Sequence, residues 1–201
     1  MTPRTKEENE RIREERRQQL LEAAVKVFTD RGFAATKIAD IAAAAGISHG
    51  LVYHYFASKE EIYAALVDLA MGAALETTEG ALAGSGSPWE RIAAMIRAML
   101  MGAQYAPEYY ALVNQAMTVG AVPAHIREKA WRDGERCRRA IEKLLAEGQA
   151  AGEVAPGDVE RMTVMIYAFV QGLALLIISA RQRGAEIGPI DAEPVLRMLK
   201  A

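Results

Sequence analysis

The stretch TKIADIAAAAGISHGLVYHYFASKEEIYAAL, residues 36–66, decides the fold. In its first half Ile38, Ile41, Ala42 and Ala45 recur at helical spacing and line the inner face of a short supporting helix. Gly46 permits a tight turn, Ile47 closes the core beneath it, and Ser48 is a suitable cap for the next helix. In that helix, read as HGLVYHYF, Val52 and Phe56 stand four apart and face inward. His49, Gly50, Leu51, Tyr53, His54 and Tyr55 are left facing outward. Ser58 and Glu61 then hold the S-x-x-E relation that opens a longer helix. Two short helices joined by AGIS, with a longer helix on either side, describe a helix-turn-helix unit.

An amino-terminal helix end of this kind, set in a major groove, brings side chains to base edges and the helix dipole to phosphate. Gly50 lets the backbone approach the duplex, and Leu51 can meet a thymine methyl. His49 and His54 can donate or accept at bases or phosphates. Tyr53 and Tyr55 can donate to phosphate oxygens or serve as ordinary core aromatics. Arg11, Arg13, Arg16 and Arg17 suit phosphate contacts and local pairing with glutamates equally. His49 and His54 are five apart, which turns them about 140° from each other on a helix, so no shared metal is expected.

Working outward, strand-like alternation is absent over any useful length, and the chain reads as all-α. Residues 4–31 form a helix with Leu20, Leu21, Ala24, Val27 and Phe28 on one flank, and Gly32 stops it. Thr36 is expected to cap the second helix. Helices are further expected over 58–83, 88–104, 107–119, 124–148, 158–183 and 191–200, with Pro88 and Pro107 in first turns. The organisation is a helix-turn-helix domain in 1–57 (core about 11–57), a connecting helix in 58–83 and a larger helical ligand-binding and dimerisation domain in 84–201.

The chain has 201 residues, 51% hydrophobic, and 24 basic against 26 acidic side chains give a net charge of -2. That balance excludes a broadly basic binder, and the distribution barely helps: residues 1–60 hold 10 basic and 9 acidic groups. Binding must therefore come from placement and symmetry rather than bulk field. Cys137, the only cysteine, allows no intrachain disulfide, and within a charged helix it is expected to be inert. No cofactor is implied. The N-terminus has no apolar core of a signal peptide, and a cytoplasmic protein is expected. Met162–Ala180 is uncharged and near bilayer length, yet Thr163, Gln171 and Ser179 favour a buried or interfacial helix over a membrane span.

The stretch GFAATKIADIAAAAGISHGLVYHYFASKEEIYAAL resembles the DNA-binding domain of the TetR family of transcriptional regulators. Phe28, Gly32-Phe33, Ile41-Ala42, Ala45-Gly46-Ile47-Ser48, Gly50, Tyr53, Tyr55-Phe56 and Ser58-Lys59 carry the likeness. The resemblance implies a DNA face of Thr36, Lys37, Ala39, Ser48, residues 49–51 and 53–55, with Lys59 on backbone phosphate. Leu51 departs from the family pattern, where small polar residues are frequent. The resemblance also implies that the last two long helices form a four-helix dimer bundle.

A single recognition helix reads few bases, so a homodimer on palindromic double-stranded DNA is expected. Met162, Ile166, Val170, Leu173, Leu176 and Ile177 offer the broad apolar face for it. Met95, Met99, Tyr105, Tyr109, Met117, Trp131, Met165 and Phe169 suit a pocket for a small apolar or amphipathic effector. Asn114, Gln115 and Gln171 are its possible polar anchors. The expected function is a repressor released from its operator by that effector. An activator of the same fold is the alternative, and a helical adaptor without DNA binding is a weaker one. No phosphate loop, HExxH segment or cysteine cluster points to an enzyme.

Overall fold

The computed structural model describes residues 6–201; the expected helix start at residue 4 lies outside them. Among the described residues the chain forms α1 (Lys6–Ala35), α2 (Ile38–Ala44), α3 (His49–Val52), α4 (Lys59–Ala83) and α5 (Pro88–Tyr105). It continues with α6 (Pro107–Thr118), α7 (Ala124–Ala150), α8 (Val159–Gln182) and α9 (Glu193–Leu199). The only strand-like pairing among them is one isolated bridge between Val154 and Lys200.

Local chemistry sets these boundaries. Pro88 and Pro107 occupy first turns, where a missing N–H costs nothing. Ser87 and Glu90 close a reciprocal capping box on α5. On α4, Ser58 Oγ accepts from the Glu61 N–H at 3.1 Å, while the Glu61 carboxylate takes the Ala57 N–H instead. Thr36 does not cap α2. It is buried and its hydroxyl donates to the Gly32 carbonyl at 2.8 Å, holding the kink where Gly32 adopts φ 74°. The Lys37 N–H meets the Asp40 carboxylate at 2.9 Å, and Asp40 pairs with Arg31 at 2.7 Å. Gly46, at φ 66°, makes the turn between α2 and α3.

Two buried clusters organise the molecule. The first joins α1–α4 to α6 and α7: Phe28, Ile41, Val52, Phe56, Tyr63 and Leu66 share it with Leu112, Ala116, Ile126 and Cys137. Tyr63 stands at its centre, edge-on to Phe28 and Phe33 at 4.9 and 5.0 Å, and its hydroxyl donates to the Leu112 carbonyl at 3.1 Å. The second cluster joins α5, α7, α8 and α9 through Ile92, Ile96, Leu144, Ile166, Val170 and Leu196. Ion pairs Lys129–Asp68 and Arg136–Glu79 hold α7 along α4.

Helix α8 is long and apolar enough to cross a bilayer. It lies in the bundle, with Thr163, Ile166, Val170, Leu173, Ala174, Ile177 and Ala180 turned inward.

Candidate DNA-reading face and effector cavity

The helix-turn-helix geometry places the recognition residues as a unit. Ser48 Oγ accepts from the Leu51 N–H and caps α3. Val52 and Phe56 are buried, anchoring the helix from beneath. His49, Gly50, Leu51, Tyr53 and His54 are exposed, and Tyr55 is half-buried against the core. The His49 and Tyr53 rings meet edge to face at 5.2 Å. Lys37 and Ala39 are exposed beside them on the supporting helix. A Cβ built on Gly50 meets nothing within 4 Å, so nothing inside the chain requires glycine there. What would require it is an external surface at close range.

Two expected DNA contacts are placed elsewhere. Thr36 is only 1% exposed and its hydroxyl is engaged, so it offers nothing to a groove. Lys59 turns inward: Nζ donates to the carbonyls of Phe33, Ala34 and Thr36 at 3.0, 3.4 and 3.1 Å. It also lies 4.6 Å from the centroid of the Phe33 ring. Its ammonium thus ties the start of α4 to the carbonyls left open between α1 and α2, rather than facing phosphate. Of the amino-terminal arginines, Arg11 and Arg17 pair with Glu15 and Glu14 on their own helix, and Arg17 also covers the Phe56 ring.

A cavity of about 650 Å³ opens among α4, α5, α6, α7 and α8, with Gln18 of α1 at its edge. Small residues leave room for it on α4, where Ala70, Ala73 and Ala74 line one side, whereas Gly102 on α5 and Gly134 on α7 are covered by Tyr110 and Met117. Met99, Tyr109, Met117 and Trp131, all expected, line it. Met95 instead packs in the second core, and Tyr105 is 70% exposed at the end of α5. Asn114 also stands outside the cavity, where its carbonyl accepts from the Thr118 hydroxyl at 2.7 Å. Met165 and Phe169 project outward from α8. Sequence reasoning missed Leu69, Thr77, Tyr110, Glu135, Arg138 and Tyr167. The run of small residues on α4 was the available signal, because a cavity needs absent side chains as much as apolar ones.

Polar groups in the wall are mostly satisfied. The Tyr110 hydroxyl donates to the Met99 carbonyl at 2.9 Å, and burial pushes its pKa up to about 12. Burial likewise raises Tyr167. Glu135 accepts from Arg138 and Arg139, and these bonds hold its carboxyl at about 2. Burial raises the Cys137 thiol, which lies in the first core.

Most of the residues expected at the dimer face on α8 turn into the subunit. Ile166, Val170, Leu173 and Ile177 point into the subunit, and Met162 is half-buried near Gln149. Only Leu176 of the expected set is exposed. Val164, Met165, Ala168, Phe169, Leu175 and Leu176 form the outward stripe. Apolar residues surround most of this helix, so periodicity alone gives no side preference; small Thr163, Ala174 and Ala180 let the inner side pack closely.

Residues 20–66 match the model for bacterial regulatory proteins of the tetR family, and 88–187 match the carboxy-terminal domain of BetI-type transcriptional repressors. The probable transcriptional regulator ArpR of Pseudomonas putida is 32% identical over 189 residues, 86% of this chain and 83% of its own. The chain belongs to the TetR family of transcriptional regulators.

The BetI regulator of Rhizobium meliloti is 37% identical over 93 residues, only 46% of either chain. Among solved structures, the ketosteroid regulator KstR2 of Mycobacterium tuberculosis superposes with a TM-score of 0.78. It covers 92% of this chain and 95% of its own at 23% identity, a likeness of fold. The all-helical class and the amino-terminal helix-turn-helix unit read from the sequence are those of the TetR fold.

Proposed function

We propose that this TetR-family regulator is a homodimeric repressor that reads a palindromic operator and is released by a small apolar or amphipathic effector. The observation that carries the reading is the double role of α4. Its first residues hold the amino-terminal unit through the Lys59 bonds and the Tyr63 ring against Phe28 and Phe33, and its middle, from Leu69 to Thr78, forms one wall of the cavity. A ligand that pushes on that wall has a rigid connection to the recognition helix, and two such helices must keep a fixed separation to bind one operator. His49, Gly50, Leu51, Tyr53, His54 and Tyr55 form the base- and phosphate-reading face, with Lys37, Ala39 and Ser48 beside them. The exposed stripe on α8 supplies the self-complementary surface that a two-fold dimer requires. The match to a BetI-type repressor domain favours repression.

The test is selection of duplexes from a random pool by the purified protein, followed by mapping the enriched sequence onto promoters. A palindrome overlapping promoter elements, bound by a dimer, supports repression. Sites placed upstream, with transcription falling when the protein is deleted, would instead establish an activator. Absence of any enriched duplex would overturn DNA reading altogether.

A further inference from the structure

We infer that the cavity is built for an uncharged, largely apolar molecule carrying a hydroxyl or phenol, recognised by the Gln171 carboxamide. The inference rests on reading the cavity as the effector site, and it names the chemistry of the effector.

The first observation is a closed charge balance. Among the described residues, Glu135 and Arg138 are the only ones lining the cavity whose side chains are ionised at neutral pH. Arg138 donates from Nε and Nη2 to both Glu135 oxygens at 2.7 Å, and from Nη1 to Glu142. Arg139 Nε adds a further bond to Glu135 at 2.8 Å. The Glu135 and Arg138 side chains are both more than a third exposed and already paired. The rest of the wall is uncharged, so an ionised ligand entering the cavity would lose its water without gaining a counter-charge.

The second observation is one polar group with no partner. Gln171 lines the cavity from α8, and its Oε1 is buried without a hydrogen bond. The Thr77 and Thr78 hydroxyls are already engaged, donating to the Ala73 and Ala74 carbonyls at 2.8 and 2.9 Å, while the Tyr109 and Tyr167 hydroxyls of the same wall are not bonded to Gln171. A buried acceptor left unpaired is costly, and a ligand hydroxyl removes that cost once the Gln171 carboxamide turns its oxygen toward the cavity. A hydroxyl suits either end of the carboxamide, since it both donates and accepts. The rest of the wall, including Met71, Met99, Val113, Met117 and Trp131, receives the apolar body. At about 650 Å³ the space suits a molecule of several rings or a long chain.

The experiment is equilibrium dialysis of the full-length protein at neutral pH against four matched probes: 2-naphthol, naphthalene, 2-naphthoate and 2-naphthylmethylammonium. The expected result is binding of 2-naphthol about tenfold tighter than any of the other three, the equivalent of one satisfied buried hydrogen bond. In Gln171→Leu, checked for fold by circular dichroism, the advantage of 2-naphthol over naphthalene disappears. Gln171→Met serves if the leucine variant does not fold. Tighter binding of the carboxylate or the ammonium overturns the inference, as does equal weakening of 2-naphthol and naphthalene in the variant. Operator affinity measured with bound 2-naphthol tests the switch separately. Selective binding that leaves operator affinity unchanged counts against the switch and leaves the ligand class standing. Retention of none of the four overturns both.

Discussion

Replacing Lys59 by alanine separates two roles that one lysine cannot fill at once. In the structure its ammonium bonds well to the Phe33 and Thr36 carbonyls, at 3.0 and 3.1 Å, and more weakly to Ala34 at 3.4 Å. Hydrogen bonds from a charged donor contribute about 1.5–3 kcal/mol each, and the contact with the Phe33 ring adds roughly 0.5–1 kcal/mol. The group is only half-buried and water can replace part of what is lost, so the net cost is about 3 kcal/mol. For a chain of this length that lowers Tm by about 6–12 °C. Thermal unfolding followed by circular dichroism reads the first effect; operator affinity across a salt series reads the second. A lysine on phosphate contributes about 0.9 to the slope of log affinity against log salt, whereas an inward lysine contributes little. Lys59→Met, which keeps the apolar stem over Phe33, should recover a minor part of the lost stability. An unchanged Tm together with a shallower salt slope would refute the inward bonding and restore the phosphate contact implied by family resemblance.

Other outcomes follow from the same geometry. Gly50→Ala should leave Tm unchanged or slightly raised, since its Cβ meets nothing, yet weaken operator binding by about 1–3 kcal/mol in a gel-shift titration. Phe169→Glu on the outward stripe should convert dimer to monomer in sedimentation experiments. Ile166→Ala, facing inward, should instead cost about 2–5 kcal/mol of stability with association retained. Glu135 has its pKa lowered from 4.5 to about 2 by its bonds to Arg138 and Arg139, so its stabilisation is complete above the higher value and lost as pH falls through the lower. Relative to Glu135→Gln, the unaltered protein should therefore lose its stability advantage between about pH 4.5 and pH 2, read as Tm against pH.

The recognition unit was legible because short-range rules govern it. Gly46 at the turn, Ser48 on α3, and Val52 with Phe56 beneath it stand where local chemistry puts them. Thr36 was misread because a threonine before a helix has two uses, and the Gly32 kink presents a carbonyl that takes its hydroxyl. The Lys59 bonds were hidden for a different reason: its acceptors lie more than twenty residues away. The cavity was half legible. Met99, Met117 and Trp131 announce an adaptable apolar wall, but the space itself depends on how α4 and α7 cross. On α8, Ile166 and Phe169 look alike in a sequence that is apolar all round, and only packing against the other helices separates inward from outward.

The buried bond from Tyr63 to the Leu112 carbonyl, within a core shared by α1–α4, α6 and α7, bears on how such regulators can be recombined. A recognition segment cut after residue 57 would take Phe28, Val52 and Phe56 away from Tyr63, Leu66 and Ile126 and leave both fragments with open apolar surface. Exchanging the reading head for one of different operator preference therefore calls for a seam beyond α4, with the faces of α6 and α7 that touch it carried along. A graft made at the end of the helix-turn-helix would join two mismatched halves of one core.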